Sequence, residues 1–144
     1  MSTGLDVFDN TIEKANSILK TIEGQLGWEN RRNQTYLALR TCLHALRDRL
    51  PMDEALHFAA ELPLILKGVY FDGWKPSETP VKMNREEFVQ YVAERFRFGV
   101  EGGTEEMIRV VLGTLFDKID PAEADKIINL LPKDLASLFF STRL

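Results

Sequence analysis

The run from Leu39 to Phe71, LRTCLHALRDRLPMDEALHFAAELPLILKGVYF, decides the fold, because the chain repeats it from Ile108 to Phe140 as IRVVLGTLFDKIDPAEADKIINLLPKDLASLFF. At a constant offset of 69 the two segments give 33 ungapped pairs, and ten are identical: Arg40/Arg109, Leu43/Leu112, Leu46/Leu115, Asp48/Asp117, Glu54/Glu123, Ala55/Ala124, Leu62/Leu131, Pro63/Pro132, Leu66/Leu135 and Phe71/Phe140. Ordinary composition gives about two such identities by chance. Apolar character also matches at Leu39/Ile108, Leu50/Ile119, Phe58/Ile127, Val69/Leu138 and Tyr70/Phe139. The Leu-Pro and Glu-Ala pairs lie off any simple leucine stripe, so their recurrence in register reads as a duplication.

Within each copy the apolar residues recur at spacings of three and four, which places them on one face of a helix. Tyr36, Leu39, Leu43, Leu46 and Leu50 form such a stripe, and Pro51 stops it because the residue before a proline leaves the α region. Glu54–Leu62 and Pro63–Tyr70 read as two short helices, each proline tolerated where no N–H partner is needed. Upstream, Leu5, Phe8, Ile12, Ala15, Ile18, Leu19 and Ile22 make another stripe, ended by Gly24 and Gly27. Downstream, Asn84 with Glu87 reads as a capping box for the stripe Phe88, Val92 and Phe96, which closes near Gly99. Thr104 opens a wide apolar face from Met107 to Ile119, and Asp120-Pro121 with Glu123 reads as a further capping box. The first helices of the two copies align less closely, Phe8 with Phe88 and Ile12 with Val92.

The predicted architecture is therefore all-α: a helical bundle of two tandem repeats, about 5–71 and 84–140, joined by a linker at 72–83 and related by an approximate two-fold axis. A copy of about 70 residues buries too little apolar surface to be secure alone, so the two are expected to share one core. The 144 residues then form a single domain.

Composition bounds the function. The chain carries 18 Lys+Arg and 22 Asp+Glu, a formal charge of −4, with 44% hydrophobic and 28% charged residues. These are globular values, and the interspersed charge lacks the basic footprint of a nucleic-acid binder. The longest apolar stretch, Leu62 to Leu66, is too short to span a bilayer, so no membrane partner is expected. The N-terminus has neither a basic start nor an apolar run of the secretory kind, and the lone Cys42 forms no internal disulfide. A cytoplasmic location is the expectation.

The run Leu37-Ala38-Leu39-Arg40, then Leu43 to Pro51, Glu61-Leu62-Pro63, Lys67 to Pro76 and Leu131 to Leu135, resembles the signature of the bacterial DUF2267 family, a domain of unknown function. The resemblance extends from Phe8 to Phe140. It implies a small soluble helical protein and brings no catalytic residues to carry over.

Chemistry has few places to sit. Asp53, His57 and Glu61 fall at i, i+4 and i+8, an oxygen-nitrogen-oxygen set for a metal, although a di-metal bundle would need a counterpart to Glu54-x-x-His57, and the second copy has Glu123 and Lys126 there. Lys67, Tyr70, Trp74 and Lys75 combine aromatics with cations where the first copy meets the linker, a pattern suited to binding as well as to packing. Cys42, aligned with Val111, reads as a core position. Arg40 is expected to pair with Asp117 across the copies. No phosphate loop, serine nucleophile or cysteine-histidine motif is found, and no cofactor is implied. The first functional expectation is a non-enzymatic interaction protein, self-associating or with a protein partner. The second is a small-molecule or metal-binding protein using a cleft between the copies.

Overall fold

The computed structural model describes residues 2–139. Phe140, and with it the Phe71/Phe140 pair and the end of the second repeat, lies outside the described residues. Eight α-helices follow one another: α1 (Asp6–Leu26), α2 (Arg32–Arg49), α3 (Met52–Ala60), α4 (Leu64–Phe71), α5 (Arg85–Arg95), α6 (Thr104–Phe116), α7 (Pro121–Leu130) and α8 (Lys133–Phe139), with one 3-10 turn at Pro76–Glu78. No strand occurs among the described residues. The protein is all-α, as the periodicity predicts.

Helix starts recur at the offset of the sequence match. Helix α3 begins at Met52 and α7 at Pro121, and α4 begins at Leu64 and α8 at Lys133, each 69 residues on. Prolines set these boundaries: Pro51 and Pro63 stand in extended conformation just before α3 and α4, and Pro121 occupies the first turn of α7, where a missing N–H costs nothing.

Helices α2 and α6 form the centre. Leu39, Cys42, Leu43 and Leu46 of α2 and Met107, Ile108, Val111 and Leu112 of α6 are wholly excluded from solvent. Helix α6 packs on α1, α2, α5 and α8, while α2 also packs on α1, α4 and α5. A line of rings joins the two ends of the core: Tyr70 to Phe58 and Phe58 to Phe116 are each 5.6 Å apart, Phe116 to Phe139 is 6.4 Å, and Phe139 to Phe88 is 5.2 Å. Each such tilted or offset pair adds about 0.5–1.5 kcal/mol beyond area burial.

Several local expectations meet the structure with corrections. Gly24 lies inside α1, and Gly27 alone ends it: its left-handed φ of 70° lets the Trp28 N–H reach back to the Glu23 carbonyl at 2.9 Å, a 6→1 closure that glycine permits without strain. Asn84 and Glu87 form the expected reciprocal box. Asp120 does cap α7, accepting from Ala122 N–H at 3.0 Å, but Glu123 turns toward α3 rather than closing a box. Helix α5 ends at Arg95, ahead of Gly99, with Phe96 buried against Trp28 in a parallel stack at 6.0 Å.

The segment between α4 and α5 is fastened to α2. Val81 N–H donates to the Asp48 carbonyl at 2.7 Å, Arg49 Nε donates to the Met83 carbonyl at 3.1 Å, and Met83 is buried.

Candidate functional site

Two features of the molecule carry functional potential: an acid-histidine junction between α3 and α7, and an uncovered apolar face on α1 and α4.

The junction begins with two alanines. Ala55 on α3 and Ala124 on α7 are both fully buried, and small residues at a helix contact let the two short helices lie close. The preceding residue in each helix is a glutamate, so the approach sets Glu54 against Glu123. One turn along α3, His57 Nδ1 stands 3.7 Å from Glu54 Oε2. One ligand atom from each of Glu54, His57 and Glu123 lies within 4.8 Å of the other two. Burial, a hydrogen bond shared with Glu54 and the charge of that residue push the Glu123 carboxyl up to about 7, with Lys126 opposing and Glu61 reinforcing. Glu54 Oε1 and Glu123 Oε2 are shut off from solvent, and no donor reaches either while both carboxyls are ionised. An acid facing an acid needs a proton or a cation between them.

Glu61 fixes the other end of this contact. Its Oε1 accepts from the Asp120 backbone N–H at 2.7 Å, so α3 supplies a second acceptor to the N-terminus of α7. Tyr70 ties α4 to α3 in the same region, its hydroxyl donating to the Ala55 carbonyl at 2.8 Å.

The structure thus places His57 beside Glu54 and Glu123. Asp53 is exposed and Glu61 serves α7, so the i, i+4, i+8 set is not gathered round one point. The physical reason is helical drift: four residues advance an α-helix by about 40° past a full turn, and α7 approaches on the Glu54 side. The signal that Glu123 belongs here was its in-register identity with Glu54, next to the Ala55/Ala124 pair.

The Lys67, Tyr70, Trp74, Lys75 group separates into inward aromatics, a half-buried Lys67 and an exposed Lys75. Tyr70 is fully buried, and burial pushes its phenol up. Trp74 is partly buried and packs on Phe71 at 5.4 Å. Lys75 is exposed beside Glu78 at 4.0 Å. Cys42 is buried, and desolvation raises its thiol far from reactivity. Arg40 donates to Asp72 at 2.8 Å, a partner at the end of α4. His44 Nε2 lies 2.7 Å from the Val69 carbonyl and donates to it, which fixes the neutral tautomer.

The apolar face lies on α1 and α4. The α1 stripe is continuous in sequence, but only its second half is covered: Ile18 and Ile22 are buried, whereas Phe8 is 49% and Ile12 39% exposed, together with Leu5. Leu64 and Ile65, the first residues of α4, are exposed beside them. Phe8, Ile12, Leu64 and Ile65, with Thr3 and Thr11, line a shallow groove of about 290 Å³. Thr11 Oγ1 accepts from the Ile65 backbone N–H at 2.9 Å, which holds the two helices in this arrangement.

The described residues form an all-helical bundle with a polar junction between α3 and α7 and an uncovered apolar face on α1 and α4, and no described helix is long and apolar enough to cross a membrane. The chain belongs to the DUF2267 family, described as an uncharacterized conserved protein, whose profile matches residues 15–138. The exposed half of the α1 stripe precedes that match. Comparison with curated proteins gives no match.

Proposed function

We propose that the protein works by protein-protein association without catalysis, and that its partner through α1 and α4 is a second copy of the chain. The observation that carries this reading is the uneven burial of one periodic stripe. A three-and-four spacing from Leu5 to Ile22 calls for a partner along its whole length, and the fold covers only the C-terminal half. The large side chains Phe8, Ile12, Leu64 and Ile65 stand exposed round one groove, and a contiguous apolar patch of this kind marks an association surface more often than chance exposure does.

We further propose that the chain is a tandem duplication with its halves related by an approximate two-fold axis. On that reading Phe8 corresponds to Phe88 and Ile12 to Val92. Phe88 and Val92 are 0% exposed, so the second copy covers positions that the first leaves open. An isologous contact, in which each chain covers the other's α1–α4 face, completes the first copy with the same surface on both sides and closes as a dimer. The buried lone Cys42 fits a reducing compartment such as the cytoplasm.

Light scattering behind a sizing column, over a concentration series of the full chain, tests the reading. The expected mass rises toward that of two chains; the mass of one chain at every concentration contradicts it.

A further inference from the structure

We propose that the junction of α3 and α7 binds a divalent transition-metal cation, zinc or a first-row relative, through Glu54, His57 and Glu123. This inference stands independently of the α1–α4 face.

The donor set is mixed rather than merely acidic, and it comes from two helices. Glu54 and His57 are one turn apart on α3, with Nδ1 and Oε2 3.7 Å apart, and α7 brings Glu123 so that one donor from each residue lies within 4.8 Å of the others. Donors bound tetrahedrally to zinc at about 2.0–2.2 Å stand roughly 3.3 Å from one another. Closing the present cluster onto an ion therefore takes side-chain movements of about 1 Å and no shift of either helix.

A second observation points to a ligand. Glu54 Oε1 and Glu123 Oε2 are excluded from solvent and, with both carboxyls ionised, have no donor. Buried carboxylate oxygens without donors are expensive, and one cation between them satisfies both. Two carboxylates balance the charge of a divalent ion, and the imidazole favours zinc, cobalt or nickel over magnesium and calcium, which prefer all-oxygen shells. His57 is exposed, which gives the ion an entry path and leaves coordination positions open to water. The Glu61 contact to Asp120 N–H and the Tyr70 contact to the Ala55 carbonyl hold the two ligand-bearing helices in place, as outer-shell groups do in metal centres.

The test is zinc titration of the chelator-treated full chain by calorimetry, with the melting temperature measured alongside. One zinc per folded chain and a raised melting temperature are expected. His57→Ala and Glu123→Gln should each weaken binding at least about tenfold, since loss of even an outer-shell partner costs 10–100-fold. Asp53→Asn, on the same helix and outside the cluster, should leave the affinity unchanged. Glu54→Gln gives the same reading from the other helix where Glu123→Gln fails to fold. Absence of stoichiometric zinc binding, or affinity unchanged in folded Glu54→Gln or Glu123→Gln, overturns the proposal. So does a loss in Asp53→Asn equal to that in Glu123→Gln.

Discussion

Tyr70 donates its buried hydroxyl to the carbonyl of Ala55 at 2.8 Å, so the last turn of α4 is tied to the first turn of α3. The ring also lies 5.6 Å from Phe58 and 5.2 Å from Phe71. Tyr70→Phe keeps the ring packing and removes one buried hydrogen bond. Urea unfolding should show a loss of about 1 kcal/mol with an unchanged denaturant slope.

Arg47 is a buried cation in the core, with 4% of its surface exposed. Its Nη1 donates to the carbonyls of Tyr70 and Asp72 at 2.9 and 3.0 Å, and its Nε donates to Asp48 at 2.8 Å. Asp48 also accepts from the Tyr91 hydroxyl. Removing the guanidinium leaves a carboxylate and two helix-end carbonyls without that donor. Arg47→Met should cost about 3–5 kcal/mol in the same unfolding assay. Arg47→Lys should recover part of the loss, because an ammonium cannot reproduce the planar fork.

Glu61 acts as a remote cap for α7, accepting from Asp120 N–H. Glu61→Ala should destabilise by about 1 kcal/mol, the usual cost of a lost cap. Glu61→Gln retains an acceptor oxygen and should lose less. Amide exchange at Asp120 reads the effect directly and should accelerate most in the alanine variant.

His44 sets a pH dependence. Burial, the largest cause, lowers its pKa, and the charges of Arg47 and Arg40 act in the same direction against the Val69 hydrogen bond and Asp48. The unfolded chain therefore binds the proton first as pH falls. The stability contribution is complete above the ordinary histidine value of about 6.5 and is lost as pH drops through the lowered one. His44→Gln should flatten the decline in stability that sets in below about pH 6.5. Comparing the two proteins cancels the opposite contribution of Glu123, whose raised value removes stability as pH climbs through about 7.

The helices were legible because prolines and glycines punctuate them. Pro51, Pro63 and Pro121 mark boundaries through backbone restrictions that operate within one or two residues, so no tertiary knowledge is required. Gly24 misled because a glycine only permits a helix end, and packing decides whether one occurs. The role of Glu123 was not legible from its own helix: Asp120-x-x-Glu123 has the spacing of a capping box, and the contact with α3 outweighed that local preference. Tyr70 and Trp74 looked suited to a binding surface because composition cannot tell an aromatic that faces inward from one that faces out. The half-covered α1 stripe was invisible for a related reason, since periodicity says which face is apolar but not whether the chain itself covers it.

The most direct test of the association reading is sedimentation equilibrium of the wild-type chain beside Phe8→Asp and Ile65→Asp. Both substitutions put charge into the exposed groove and leave the buried core untouched, so helicity and unfolding midpoint should not change. The wild-type chain should populate a reversible dimer and both variants should sediment as monomers. A wild-type monomer at the highest attainable concentration, or variants that dimerise as well as wild type, would contradict the account.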